Sequence, residues 1–243
     1  KPKWLHFLAI SFAIGFLNKY NIAFCLLGLL PALILSKHRK LFTKPEFYFS
    51  LILGLAIISP NIIWQIQNDF PVLKHMKELA ETQLVHVSRI GFLKEQIFFF
   101  IGSIFILVAA FIGFFSYAPF KPFRLLFWAY LFTILIFIFF KAKAYYAIGI
   151  YPIFFAFGAT YLSILLQQGW KFYLRPLAFV IILFFGYATI ETSLPVYTPS
   201  TYAQFAKKGK PFSSHTWEDG KKHFISQDFA DMRGWKELAS KVD

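Results

Sequence analysis

The chain has 243 residues, of which 58% are hydrophobic and only 15% are charged, and its formal net charge is +13. A soluble domain carries about 25% charged residues, so this composition excludes an ordinary soluble protein and predicts an integral membrane protein. The positive surplus is typical of loop lysines that set topology and meet anionic lipid, and no nucleic-acid partner is expected. The single cysteine, Cys25, excludes an intrachain disulfide and is interpreted as a packing residue.

Apolar runs separated by polar and basic segments predict an all-α, polytopic transmembrane bundle over residues 1–192, with about seven spans. The first run, residues 4–36, is too long for one straight helix across a hydrocarbon core about 30 Å thick. We therefore expect two short spans with an outer turn at residues 18–21, and a single kinked helix is the alternative. The later spans are expected at residues 47–65, 97–117, 125–140, 146–166 and 177–190.

Basic loops give the expected orientation of these spans. Residues 37–44, 118–124 and 168–175 are the basic connections and are predicted to be cytoplasmic. The intervening connections, including residues 141–146, then lie outside the cell membrane, as does the C-terminal tail. Residues 72–88 have apolar side chains on one helical face and charged ones elsewhere, which predicts an amphipathic helix lying along the outer interface.

The tail, residues 193–243, is polar and is interpreted as the start of a truncated extracytoplasmic domain. The absence of an initial Met and the helical pattern at the very end favour an internal or C-terminal piece of a longer protein. In that last segment Trp235, Leu238, Ala239 and Val242 share one helical stripe, which must pack against another surface.

Residues 141–152, KAKAYYAIGIYP, are the most informative stretch of the chain. Two lysines and three tyrosines lie there between two long apolar runs, where they are costly unless they meet water, a head group or an anion. An ordinary interfacial loop with snorkelling lysines would explain them. The alternative is a site for a phosphate or diphosphate at the membrane plane, formed with Lys19 and Tyr20 of the first outer turn.

Several other chemistries are poorly supported by the sequence. The six histidines show no metal-ligand spacing near a cysteine or carboxylate pair. No Gly-rich phosphate loop or redox cysteine pair appears. No carboxylate lies deep in a predicted span, which argues against an ion-coupled transporter.

Three motifs resemble those of one enzyme family. Gly15-Phe-Leu-Asn-Lys-Tyr20 is similar to a Gly-x-x-x-Lys-Tyr element, and residues 141–152 are similar to a Lys-x-x-Tyr-x-Leu-x-x-Tyr-Pro loop. Residues 59–71 resemble a Pro-x-x-x-Trp-Asn-x-x-His-Asp-Trp stretch, with Gln65 where Asn is usual and Asn68 where His is usual. The family is the bacterial GT-C glycosyltransferases of the protein-mannosyltransferase and aminoarabinose-transferase type, and the resemblance covers nearly the whole chain.

The resemblance implies a GT-C fold and inverting transfer, on the outer face of a bacterial inner membrane, of a sugar carried by a polyprenyl or dolichyl phosphate. The implied acceptor is an envelope lipid or protein. A catalytic Asp is implied upstream of Lys1, so no catalytic residue is assigned here. No cofactor is inferred from the chain, although the resemblance allows a divalent metal. The candidate residues for the carrier phosphate and donor are Lys19, Tyr20, Lys141, Lys143, Tyr145 and Tyr146.

The leading functional hypothesis is thus a membrane glycosyltransferase whose partners are the lipid-linked donor, the acceptor and membrane lipids. A flippase or transporter of lipid-linked saccharide is the alternative, since it needs the same basic outer groove but no catalytic base. A purely structural subunit would fit the spans but leave the outer Lys and Tyr residues unexplained. An Asp or an Asp-Glu pair in the first outer loop upstream would favour the enzyme.

Overall fold

The computed structural model describes residues 3–194, 196–208 and 215–242, and it confirms an all-α fold. Parts of both predicted domains, residues 1–2, 195, 209–214 and 243, lie outside the described residues. The α-helices are α1 (Lys3–Asn18), α2 (Ile22–Ile34), α3 (Pro45–Gln67), α4 (Pro71–Thr82), α5 (Arg89–Phe98), α6 (Ile104–Ser116), α7 (Arg124–Phe139), α8 (Tyr151–Leu165), α9 (Leu174–Ser193), α10 (Pro199–Lys207), α11 (Gln227–Asp231) and α12 (Trp235–Val242).

Short 3-10 helices form several of the connections. Two of them are named here: the basic turn (Lys37–Thr43) follows α2, and the tyrosine turn (Ala144–Ile150) precedes α8. The others cover Leu84–His86, Ala118–Phe123 and Gly169–Tyr173. In the tail, β1 (His215–Thr216) and β2 (Lys222–His223) pair antiparallel, and residues 215–223 are called the tail hairpin.

Four helical stretches are long and apolar enough to cross a membrane: Pro45–Gln67, Ala118–Phe139, Ala144–Leu165 and Gly169–Ile190. Helices α1 and α6 are apolar but shorter, and α2 is followed by a bend of 105° into the basic turn. The chain is therefore an integral membrane protein by composition and helix length, whereas the expected number of seven spans stays a prediction.

The span predicted at residues 97–117 is interrupted. Helix α5 ends at Phe98, residues 99–103 form turns, and α6 begins only at Ile104. Gly102 in this break is packed so closely on α9 that a Cβ there would lie 2.5 Å from the Cβ of Phe185. Neighbouring Gly and Ser residues are frequent sites of helix breaks, and Ser103 follows Gly102 directly.

The bundle is built from pairs of closely packed helices: α1 with α3, α2 with α7, and α6 with α8. Glycine permits the closest approaches, because Gly28 of α2 lies against Thr133 and Gly158 of α8 lies against the carbonyl of Ile106. Small residues at such contacts are the usual basis of helix packing in membranes. The core joins α6, α7, α8 and the tyrosine turn, and its fully buried members include Phe114 and Phe137.

Two amphipathic segments of the sequence are helical as expected. Residues 72–88 contain α4 and the following 3-10 helix, with Leu79 buried, while the position along the membrane interface stays a prediction. The stripe at the chain end lies on α12, where Trp235, Leu238 and Val242 are exposed. Nothing within the described residues covers that stripe.

The glycine contacts make a test of the packing. Gly158→Ala would place a Cβ 1.9 Å from the Ile106 carbonyl oxygen, so backbone must move, and we expect a loss of about 1–3 kcal/mol in the free energy of unfolding. Gly186→Ala in α9 is the matched control, since a Cβ there meets nothing within 4 Å. Thermal unfolding in detergent followed by circular dichroism measures both, and equal melting temperatures would contradict the packing.

Candidate functional site

The candidate site is organised around the tyrosine turn. The chain leaves α7 through Lys141, whose φ of 51° is left-handed, and the amide of Ala142 donates to the Phe137 carbonyl at 2.8 Å. Ala144 and Ala147 are buried in the core, so the turn lies directly on the bundle. The small alanine side chains allow the turn to pack closely on the core. Tyr145 and Tyr146, which lie between the two alanines, are nearer to the surface.

A buried polar network fixes the backbone of this turn. Gln96 of α5, only 7% exposed, donates from Nε2 to the Ala144 carbonyl at 3.0 Å and accepts at Oε1 from the Tyr151 hydroxyl at 2.9 Å. The hydroxyls of Tyr151 and Tyr130 are 3.2 Å apart. Because buried polar groups are costly when unpaired, this network ties α5, α7 and α8 to the start of the tyrosine turn.

Lys19, in the turn between α1 and α2, packs onto the tyrosine turn. Its Nζ lies 4.8 Å from the ring centroid of Tyr146 and 5.1 Å from that of Tyr145. The two rings are themselves edge to face, with centroids 4.8 Å apart. These distances are within the range of cation–π attraction. The structure therefore brings together three of the predicted site residues from segments far apart in the sequence.

Tyr20, beside Lys19, is held by the C-terminal part of α3. Its hydroxyl donates to Asn61 Oδ1 at 3.0 Å and accepts from Gln65 Nε2 at 2.9 Å. Gln65 is buried, and its Oε1 accepts the amide of Val72 at 3.2 Å. Tyr20 thus fixes the turn that bears Lys19, and it is itself held by both Asn61 and Gln65, the second of which departs from the motif that residues 59–71 resemble.

Lys143 is engaged on the other side of the tyrosine turn. Its Nζ donates to Gln83 Oε1 at 2.7 Å and forms an ion pair with Glu218 of the tail hairpin. The Lys143 side chain is 12% exposed and that of Glu218 is 31% exposed. Gln227 holds Glu218 by accepting its amide at Oε1, 2.8 Å away. The tail hairpin therefore places a carboxylate on a predicted anion-binding lysine.

A cavity of about 320 Å³ lies beside this ion pair. Lys143, Glu218 and Tyr145 line it, so Tyr145 faces both Lys19 and the cavity of Lys143. Glu95 of α5 also lines the cavity, and partial burial raises the pKa of its carboxyl. Four of the six predicted residues thus form two adjoining groups joined by Tyr145: Lys19 with Tyr145 and Tyr146, and Lys143 with Tyr145. Tyr20 contacts α3 instead, and Lys141 belongs to neither group.

Lys141 makes no side-chain hydrogen bond or ion pair within the described residues. No group of three His, Cys, Asp or Glu side chains suited to a metal occurs in the described part of the chain. Sequence reasoning missed Gln83, Gln96 and Glu218. The partners of these residues lie 48 to 75 positions away in the sequence; Gln83 and Lys143, for example, are 60 positions apart. Such distant pairs leave no spacing pattern in a single sequence.

The network at Gln96 supports a test of how the turn is positioned. Gln96→Leu would leave the Ala144 carbonyl without its Gln96 donor and the Tyr151 hydroxyl without its acceptor, which costs about 1–3 kcal/mol. We expect faster hydrogen–deuterium exchange in the tyrosine turn together with a lower melting temperature. Gln168→Leu, in an exposed loop, is the control. Unchanged exchange in the Gln96 variant would show that the turn is held by other contacts.

Comparison with known proteins supports the motif-based resemblance. Residues 1–64 match the family model of dolichyl-phosphate-mannose-protein mannosyltransferases, and this segment includes Lys19, Tyr20 and Asn61. No curated protein and no solved structure matches the chain. The match confirms the predicted resemblance over these 64 of 243 residues. The matched segment, together with the apolar helices, is thus consistent with a fragment of a membrane glycosyltransferase of the GT-C type.

Proposed function

We propose that this protein transfers a sugar from a polyprenyl-phosphate-linked donor to a lipid or protein acceptor of the cell envelope. Transfer takes place at the membrane face that carries the tyrosine turn, which is the outer face of a bacterial inner membrane, and the tail lies on that side. The observation that supports this most directly is the position of the Lys19 ammonium over the rings of Tyr145 and Tyr146.

The contact with the rings leaves the charge of Lys19 available for an anion. Aromatic rings attract the ammonium through their quadrupole but carry no net charge, so the positive charge is oriented without being neutralised. Lys19 is also exposed. A phosphate ester beside it would gain charge-assisted hydrogen bonds, each contributing about 1.5–3 kcal/mol. The hydroxyl of Tyr146 supplies a further donor.

Lys143 serves the same phosphate from the adjoining cavity. The Glu218 carboxylate accepts one N–H of the Lys143 ammonium. When the tail hairpin withdraws, the phosphate of the sugar donor takes the place of this carboxylate. The incoming phosphate pairs with Lys143 in its turn, so the ammonium is never left without a counter-charge and the replacement costs little. The carboxylate keeps this largely buried lysine paired while the donor is absent.

The two lysines act on the leaving group of the reaction. When the bond between the sugar and the phosphate breaks, negative charge builds up on the lipid phosphate, and preorganised cations stabilise that charge. The residue that deprotonates the acceptor is, by the resemblance, an aspartate preceding Lys1. The described side chains therefore bind the donor and stabilise its departing phosphate, and none of them is assigned as the base.

Neutralising either lysine tests the proposal. Lys19→Met and Lys143→Met keep the apolar part of the side chain, and each should lower kcat/KM for the donor about ten-fold or more, as expected for one lost charged hydrogen bond. The assay is loss of radiolabelled sugar from polyprenyl phosphate by the full-length protein in liposomes. The control is Lys171→Met. This lysine lies in the 3-10 helix Gly169–Tyr173, which follows the C-terminal end of α8, whereas the tyrosine turn precedes the N-terminal end of the same helix.

Two outcomes would contradict the proposal. Unchanged kcat/KM for the sugar donor in both lysine variants would show that its phosphate does not bind at this site. Translocation of the labelled lipid across the bilayer without sugar transfer would favour the flippase.

Removing the competing carboxylate should have the opposite effect. Glu218→Gln leaves Lys143 without its ion pair, so the donor no longer displaces a charge, and KM for the donor should fall by about five-fold, the equivalent of about 1 kcal/mol for one ion pair with a partly exposed carboxylate. The value of kcat should stay the same. Glu237→Gln in the exposed helix α12 is the matched control, and an increased KM in the Glu218 variant would show that Glu218 assists donor binding.

A further inference from the structure

A second site is centred on the basic turn. A cavity of about 850 Å³ runs from there between α1, α2 and α7 to the start of α8, where Gly149 and Ile150 at the end of the tyrosine turn also line it. Its walls are almost wholly apolar, with Leu8, Phe12, Cys25, Leu29, Leu126 and Ile153 among them. At one end it meets the basic turn, where Lys37, His38, Lys40 and Lys44 join the lining.

The basic turn crosses the end of α2 instead of extending it. The two axes differ by 105°, and the Ser36 hydroxyl caps the turn by accepting the His38 amide at 3.1 Å. Lys37, His38 and Lys40 are exposed. Among the described residues no carboxylate forms an ion pair with the basic turn, although Glu46 follows it closely in the sequence.

A second cavity, of about 630 Å³, lies on the other side of the same residues. Lys37 and His38 line both cavities, and the lining of the second also includes Lys121, Arg124 and Trp128. Two grooves with apolar walls therefore flank one basic ridge. Both volumes lie within the range of about 300–1,000 Å³ that is usual for ligand pockets.

We propose that this ridge and its two grooves bind an anionic glycerophospholipid. The phosphate lies against Lys37, His38 and Lys40, and one acyl chain enters each groove. Charge complementarity selects the anionic head group, as in other basic pockets between transmembrane helices. The paired grooves require two chains, which a free phosphate lacks. The ridge that binds the phosphate is separate from the lysines of the proposed donor site, because α7 begins at Arg124 beside the ridge and ends at Phe139 near the tyrosine turn. The large groove itself extends to Gly149 and Ile150 at the end of that turn.

The probes are dioleoyl phosphatidylglycerol and dioleoyl phosphatidylcholine, which share their acyl chains and differ in net charge. The full-length protein in neutral detergent is titrated with each, and bound lipid is measured by native mass spectrometry. We expect phosphatidylglycerol to be retained at least about ten-fold more tightly. The double variant Lys37→Gln/Lys40→Gln should weaken it about 25-fold, at roughly five-fold for each basic residue near an anionic head group.

Lys171→Gln is the control, because it removes a charge from another basic loop without touching either groove. Equal retention of the two lipids, or an equal loss in the control variant, would overturn the proposal. So would displacement of phosphatidylglycerol by millimolar inorganic phosphate, which would reduce the ridge to a site for free anions. If the protein instead retained polyprenyl phosphate, and retained it equally well in the double variant, the large groove would be assigned to the polyprenyl chain of the sugar donor.

Cys25 gives a readout that needs no variant. It lines the large groove, so a bound acyl chain should slow its alkylation by a maleimide, with phosphatidylglycerol protecting it at least about ten-fold better than phosphatidylcholine. This arm keeps the test decisive if the lysine variants fail to fold. Equal alkylation rates with the two lipids would again overturn the proposal. None of these measurements depends on glycosyl transfer, so their failure leaves the proposed function standing.

Discussion

The burial of one glutamine determines most of the geometry at the candidate site. Gln96 satisfies the Ala144 carbonyl with its amide group and the Tyr151 hydroxyl with its oxygen. A polar side chain in a bundle this apolar is stable only when its hydrogen-bonding groups are paired. The tyrosine turn is therefore held at its first residue, and the positions of Tyr145 and Tyr146 follow from that anchor.

Two lysines flank this turn with different electrostatic surroundings. Lys19 contacts ring faces, which orient its ammonium and leave its charge in place. Lys143 contacts the Glu218 carboxylate and the Gln83 amide oxygen, so its charge is balanced in the absence of a ligand. The difference agrees with their exposure, because Lys19 lies in the open whereas Lys143 is largely covered. A covered ammonium requires a partner, and an exposed one is solvated by water.

The sequence was sufficient for the parts of the fold that depend on local composition. Apolar run length located the helices, and the turns at Lys19 and at Tyr146 were expected on one membrane face, which agrees with their contact. The break at residues 99–103 was not expected, because it depends on the approach of Phe185 to Gly102 across the bundle. Hydropathy describes one helix at a time and contains no information on such contacts. The Glu218 pairing was missed for the same reason.

The contact between the two turns also links the matched and unmatched parts of the chain. The family match ends at residue 64 and so includes Lys19, Tyr20 and Asn61 but not the tyrosine turn. Tyr20 is hydrogen-bonded to Asn61 inside the matched segment, which fixes Lys19 relative to α3. Because the Lys19 ammonium lies over Tyr145 and Tyr146, the unmatched turn is positioned against the matched segment by direct contact. The functional argument for the turn therefore depends on geometry, and it would hold even if the motif in residues 141–152 were disregarded.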